Sequence, residues 1–406
     1  MSETSAADQN VRLYPWYAAF YNAFFWMPVF FLYFGDHLDL TGVLYLEAVY
    51  YTAIVFLEVP SGYVSDSLGR RPTLITSSVL LVIAYATFVI GGGFAVFAVA
   101  QVCLAAGIAF QSGTGTSFLY DSLSDAGRED DYEAKEATVA RTSLGATAAA
   151  AVLGGLAGAW DLRMAYVLSG LGAVVALLVT LQFTEPTRSE DAPGESRHFG
   201  GQLLDCFAYL RQPALFWFFG YAVAMTVLNH LPYEFYQPYI ELLGADLGWH
   251  TGTSAATGLH MGVTTLLGAY VAGKSADWSQ QYGRRRVLLS ATALQGLVLA
   301  AMALVLHPLI ALVILLRGVP GAMAKAPLRA GVTPHVDRGH RATYLSLQSL
   351  AGRLGFAATL SVLGALVSGA PAESWQALST VLQWSGMIAA AAFVILAVTS
   401  PLTMRE

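Results

Sequence analysis

The sequence predicts an all-α membrane protein: twelve transmembrane helices in two pseudo-symmetric six-helix bundles. Three observations predict it. The 406 residues are 56% hydrophobic and 12% charged, with a mean hydropathy of +0.55, whereas soluble domains carry roughly 25% charged residues. The basic residues crowd onto alternate connecting segments. The two halves also repeat one another at an offset of about 210 residues.

A spanning helix needs about 20 apolar residues. Twelve such segments fit, near 14–34, 42–62, 73–91, 94–119, 138–159, 163–183, 213–243, 252–273, 287–306, 308–328, 342–368 and 376–400. The alternating polarity of a transmembrane barrel is not seen. Residues 1–13 are polar with one basic residue, Arg12, so they read as a cytoplasmic tail and not as a secretory leader. Residues 184–212, with Pro186, Pro193 and several charges, read as a cytoplasmic linker between bundles at 14–183 and 213–400. Residues 401–406 form a second cytoplasmic tail.

Orientation follows from the basic residues. With both termini inside, eighteen of the 21 Lys and Arg fall on inner segments, Arg163 alone falls on an outer loop, and Arg317 and Arg353 lie within helices. The positive-inside bias therefore places a multi-pass chain in a plasma membrane or bacterial inner membrane with both ends cytoplasmic.

The same numbers exclude other classes. The net charge is −6 and no basic block is longer than Arg284-Arg285-Arg286, so no nucleic-acid partner is expected. Cys103 and Cys206 make no disulfide framework. A Ser-His-Asp order, a His-Glu-x-x-His pattern and a Gly-rich phosphate loop are all missing, so the chain does not read as an enzyme. His230 and His260 do not make a metal site by spacing, and neither a cofactor nor a metal is expected.

The repeat is explicit. Trp26-Met27-Pro28 and Asp36 match Tyr236-Gln237-Pro238 and Asp246; Gly62-x-x-x-Asp66 matches Gly273-x-x-x-Asp277; Gly69-Arg70-Arg71 matches Gly283-Arg284-Arg285; Gly107 matches Gly321. Gly62-Tyr-Val-Ser-Asp66-Ser-Leu-Gly69-Arg70-Arg71 resembles the loop signature of the major facilitator superfamily, and Gly273 to Arg286 is its degenerate second copy. Arg317 and Gly321 resemble a second signature of that family, whose place in the first half is taken by Cys103 and Gly107. Where the family's antiporters carry Gly-Pro, this chain has Ala150-Ala151 ahead of Gly154-Gly155.

An acid and two arginines at an inner junction form bonds in one conformational state and lose them in another. The resemblance implies that Asp66 pairs with Arg70 and the start of the eleventh segment, that Asp121 completes the cluster, and that Gly62 and Gly69 permit close approach and a tight turn. Glu58 belongs to this junction, and Asp277, Arg284 and Arg285 to its copy. On the other reading, Arg70 and Arg71 only set topology and Gly69 is an ordinary turn glycine.

A charge near the bilayer centre costs of order 2.5–3.5 kcal/mol, so each needs a partner, a wet cavity or a function. His230, Glu234, Gln237 and Glu241 share one face of the seventh segment; Thr253, Thr257, His260 and Thr264 one face of the eighth; Arg317, Gly321 and Lys325 one face of the tenth. Glu47 lies on the second segment and Arg353 on the eleventh. These stripes are expected to face a central cavity, with Tyr21, Asn22, Trp26 and Tyr236 as aromatic and hydrogen-bonding lining, and Pro232 and Pro238 are expected to bend the helix around Glu234. Glu234 is the first choice for a protonatable coupling group, or else makes a static hydrogen bond. His260 is a relay or a packing histidine, and Arg317 an anion-binding charge or a structural partner. Lys325 reads as snorkelling to the inner surface, and Glu47 and Glu241 as solvated near the outer one.

The function that follows is secondary active transport of a small organic solute by alternating access, with the proton as coupling ion and efflux as the direction. Mixed charge suits an amphiphilic, zwitterionic or anionic solute. The alternatives are proton-coupled uptake of an organic anion or nutrient metabolite, and a non-transporting receptor or scaffold. One chain of two bundles suffices, so a monomer is expected.

Overall fold

Inside a bilayer every backbone N–H and C=O must be satisfied within the protein, which leaves apolar runs of this length one solution, the helix. In the computed structural model, residues 3–187, 207–248, 252–336, 341–369 and 374–400 are described, and among them there is no strand. The first half comprises α1 (Glu3–Tyr21), α2 (Phe30–Gly35), α3 (Leu40–Leu68), α4 (Arg70–Ile90), α5 (Phe94–Gln111), α6 (Thr114–Asp125), α7 (Tyr132–Gly158) and α8 (Leu162–Leu181). The second comprises α9 (Pro213–Asp246), α10 (Thr253–Tyr282), α11 (Arg284–Leu304), α12 (Pro308–Ile314), α13 (Val319–Val332), α14 (Arg341–Leu366) and α15 (Trp375–Thr399). Among the described residues ten helical stretches are long and apolar enough to cross a membrane, the first and eighth expected segments not being among them.

Three expected segments are interrupted. The first is split into α1 and α2 by the turns at Asn22–Val29, the fourth into α5 and α6 at Ser112 and Gly113, and the tenth into α12 and α13 by a 3₁₀ turn at Leu315–Gly318. Gly113 takes φ +76°, a left-handed conformation that ends α5. Hydropathy averaged over a span does not register such breaks: the first and third fall inside largely apolar sequence, and the second, in Gln111-Ser112-Gly113-Thr114, is short enough to be averaged away.

Residues 3–13, expected as a tail, are the opening turns of α1. They are held because Asn10 donates to the Thr184 carbonyl at 2.8 Å and accepts from the Thr184 N–H at 2.9 Å. Arg128 pairs with Asp131 at 2.7 Å and with Asp8 at 3.2 Å. Asp131 first, then Asp8, hold the Arg128 guanidinium above its ordinary pKa range. Most of the expected linker (188–206) and the tail at 401–406 lie outside the described residues.

The chain divides into two units: Met1–Leu38, Leu46–Gly194 and Ser254–Leu259 form one; Asp39–Tyr45, Glu195–Thr253 and His260–Glu406 form the other. These are the two halves of the repeat, with the openings of α3 and α10 exchanged. Thr41 donates to the carbonyls of Gly364 and Val367, both at 3.2 Å, within the second unit. Within the first, a Cβ on Gly155 would lie 2.5 Å from the Ser254 carbonyl oxygen and 2.8 Å from Gly258 Cα, so only glycine lets α7 and the opening of α10 cross there.

The repeat reaches side-chain chemistry. Arg71 donates to the Leu181 carbonyl at 3.1 Å at the end of α8, and Arg285 to the Ala397 carbonyl at 3.2 Å at the end of α15. Each satisfies an orphan carbonyl in the last turn of the closing helix of its own half.

Candidate functional site

The buried charges of the second unit gather around the 3₁₀ turn. Arg317 sits on that turn at 4% exposure, and its Nη1 donates to His260 Nδ1 at 2.6 Å, Thr264 Oγ1 at 2.8 Å and the Ile314 carbonyl at 3.3 Å. Its guanidinium lies over the Tyr236 ring, 3.9 Å from the centroid, a cation–π contact strengthened where water is excluded. Tyr236 also stacks on His260, with centroids 5.6 Å apart. Gln237 Nε2 donates to the Tyr236 hydroxyl at 3.4 Å. Glu234 and Gln237 are wholly buried on the same stretch of α9. Arg317, His260, Tyr236 and Gln237, all anticipated as site residues, are thus brought together, with Thr264 of the expected stripe on α10.

Two expectations for this region are refined. Pro232 and Pro238, expected to interrupt and bend the helix, lie inside α9 without ending it. Pro232 has no N–H for the Leu228 carbonyl, and Gln295 of α11 supplies the missing donor at 3.1 Å. The stripe on α9 also divides: His230 donates from Nδ1 to the Thr226 carbonyl at 2.6 Å and lays its ring 5.0 Å from that of Phe356 on α14. Glu241 and Arg353 are half-buried.

One turn beyond the cluster lies a cavity of about 360 Å³ between α9, α13 and α14, lined among others by Asn229, Gly321, Lys325, Arg329 and Gln348. Lys325, expected both on the cavity-facing stripe and as a snorkelling residue, is exposed and belongs to its wall. Gln348 and Asn229 had no sequence signal beyond being amides in apolar runs.

In the first unit the expected lining residues meet at the break between α1 and α2. Asn22 donates to the Ala18 carbonyl at 2.7 Å and to Ser143 Oγ at 3.4 Å, and its own carbonyl accepts from Thr147 at 3.0 Å. The Trp26 backbone N–H donates to Ser169 Oγ at 3.2 Å and its indole to the Tyr85 hydroxyl at 3.1 Å. Hydroxyls from α7 and α8 thus replace the helical bonds lost at the break. Tyr21 donates to the Gly107 carbonyl at 3.1 Å. Glu47, expected near solvent, is 5% exposed and accepts from Gln101 of α5 at 2.8 Å.

At the inner junction Arg70 meets Asp121 at 3.4 Å, as the resemblance implied, and donates to Ser65 at 2.8 Å. The side chain of Asp66 lies outside the described residues. An unanticipated group organises the turn: Glu185 accepts from the backbone N–H groups of Arg70 at 2.7 Å and Arg71 at 2.8 Å, capping α4 with a charge that suits its dipole. Gly69 takes φ +115°, and a Cβ there would stand 2.6 Å from Glu185 Oε1. Gly62, expected to permit close approach, has open space where a Cβ would go. Glu58 is half-buried, its carbonyl accepting from Ser61 at 2.9 Å. In the copy, Asp277 is exposed and Arg284 half-buried. Arg285 also donates to Ser400 at 2.7 Å.

Solved structures share this architecture. A point mutant of the nucleoside transporter NupG superposes with a TM-score of 0.81 at 14% identity, over 98% of this chain and 100% of that one. A bacterial homologue of the human lysosomal transporter Spinster, inward-facing and unoccupied, gives 0.71 at 14% identity over 98% and 96%. A mutant of the peptide transporter POT gives 0.70 at 12% identity over 98% and 99%. At these identities the likeness is one of fold. No curated protein matches the chain by sequence. The family model described as Major Facilitator Superfamily matches residues 16–360, more than half of the chain, in agreement with the duplicated helices and the paired loop signatures: this multi-pass membrane protein belongs to the Major Facilitator Superfamily and is a transporter of that kind.

Proposed function

We propose that the chain couples the movement of a small organic solute to that of protons, with Glu234 as the proton carrier and the Arg317–Tyr236–His260 cluster as the fixed charge beside it. The observation that carries this reading is burial: among the described residues Glu234 and Glu47 are the buried carboxyl groups and Arg317 the buried cation. Burying a charge is expensive, so a carboxyl at that depth exchanges its proton only when the path to it is wet, which ties loading to the conformational cycle. On this reading the 3₁₀ turn that carries Arg317 is a moving part, since such turns inside long helices often mark hinges.

The test is transport in liposomes containing a pH-sensitive dye, with nucleosides, peptides and organic acids as the first solutes to try. Solute flux should move protons in wild type, while Glu234→Gln should retain solute exchange and lose the proton movement. Equal proton movement in both rejects Glu234 as the carrier. The same traces give direction: protons moving against the solute mean export by antiport, the direction the family resemblance favours, and protons moving with it mean uptake by symport.

A further inference from the structure

We propose that the cavity between α9, α13 and α14 seats a small organic anion that carries a hydroxyl or amino donor beside its charge; this names a solute class for the transport just proposed and rests on that reading. At about 360 Å³ the cavity falls in the range of small-ligand pockets, roughly 300–1,000 Å³. Among the described residues its charge has one sign: Lys325 and Arg329, four residues apart on α13, both line it, and no acidic residue does. Both are exposed, and neither has an ion pair among the described residues.

The opposite walls supply the second, independent observation. Gln348 of α14 lines the cavity, is 4% exposed, and its Nε2 has no hydrogen-bond partner among the described residues. Asn229 of α9 lines it too, and its buried Oδ1 is likewise without a partner. Leaving such groups unsatisfied costs about 1–3 kcal/mol each, a cost that a ligand with the complementary groups removes. An amide donor in a cavity that two cations also line calls for an anionic acceptor such as a carboxylate, and a lone amide oxygen calls for a donor on the same molecule. Met225, Leu328 and Leu345 also line it and suit a short carbon chain. Gly321 keeps the seat open: a Cβ there would come within 3.1 Å of Asn229 Nδ2.

The experiment measures ligand binding to the purified full chain at neutral pH, by thermal stabilisation and calorimetry, using three molecules of matched shape. These are α-hydroxyisocaproate (anion with donor), isocaproate (anion alone) and leucinol (cation with donor). Stabilisation by α-hydroxyisocaproate is expected, with isocaproate roughly tenfold weaker and leucinol inert. Asn229→Leu should erase the difference between the two acids. Gln348→Leu should weaken both about tenfold, and Lys325→Ala combined with Arg329→Ala by more. If the double variant does not fold, Gln348→Met and Asn229→Leu carry the test alone. Stabilisation by neither acid, a preference for leucinol, or unchanged affinity in the variants overturns the proposal and leaves Lys325 and Arg329 as topology determinants. Because binding is read without a gradient, acid binding with no proton movement in liposomes would strike the coupling reading alone, and proton coupling with no acid binding would strike this one alone.

Discussion

His260 and Arg317 meet at 2.6 Å with the imidazole as acceptor. A guanidinium only donates, so Nδ1 carries no proton, and Nε2–H donates to the Ala311 carbonyl at 2.9 Å. Both ring nitrogens are committed, and the ring is held as one neutral tautomer. Of the two roles open to His260 in the sequence, the geometry supports the anchor: its hydrogen bonds fix the guanidinium over Tyr236.

Arg317→Ala should therefore unfasten the cluster. It removes three hydrogen bonds and a cation–π contact from a buried site and leaves Thr264 and His260 short of partners, for a loss of about 3 kcal/mol. Arg317→Lys should not restore the melting temperature, because an ammonium cannot lie flat on a ring while reaching both acceptors. An unshifted melting temperature in either variant would refute this account.

Glu185→Gln and Gly69→Ala probe the inner turn. Loss of the capping charge should lower stability by about 1 kcal/mol. Gly69→Ala should cost more than that, because it adds strain at φ +115° to a collision with the Glu185 carboxylate. Combining the two changes should cost less than their sum if the collision is real, and thermal unfolding of the double variant measures this.

Gly154 lies against the break in the first segment, where a Cβ would collide with the Phe25 carbonyl. Since that neighbour is backbone and cannot rotate away, Gly154→Ala should destabilise the protein by about 2 kcal/mol. Gly145→Ala on the same helix, with open space around it, should be neutral or slightly stabilising. Melting curves that rank the two the other way would contradict the packing at the break.

Glu47→Gln should be tolerated within about 1 kcal/mol, because an amide oxygen can still accept from Gln101. Gln101→Leu should cost about 1–3 kcal/mol, since it strips a buried carboxyl of its donor. If Glu47→Gln alone abolished proton movement in the liposome assay while Glu234→Gln did not, the carrier would lie in the first unit.

Much of the fold was legible in the chain because it depends on quantities that add along the sequence. Apolar length located the helices, the basic residues set the orientation expected for the loops, and the paired Gly69-Arg70-Arg71 and Gly283-Arg284-Arg285 exposed the duplication that Arg71 and Arg285 repeat in their bonds. Helical spacing also found most of the cluster, since residues three and four apart share a face. It could not separate His230 from Gln237 or tell that Glu47 is buried, because a shared face does not say which neighbour covers it. Glu185, Gln101, Gln348 and Asn229 were missed for the same reason: each acquires its role from a partner on another helix.

By itself, then, the sequence determined the class of protein, the duplication and the family, all consequences of bulk hydrophobicity and short local motifs. Tertiary structure alone decided where the long helices break, which polar groups are satisfied and which are left unused beside a cavity. A backbone group freed by Pro232 or by the turns after Tyr21 is costly or harmless according to whether another helix brings it a partner, and that is settled only when Gln295 and Thr147 bring donors to the Leu228 and Asn22 carbonyls and Ser169 an acceptor to the Trp26 N–H.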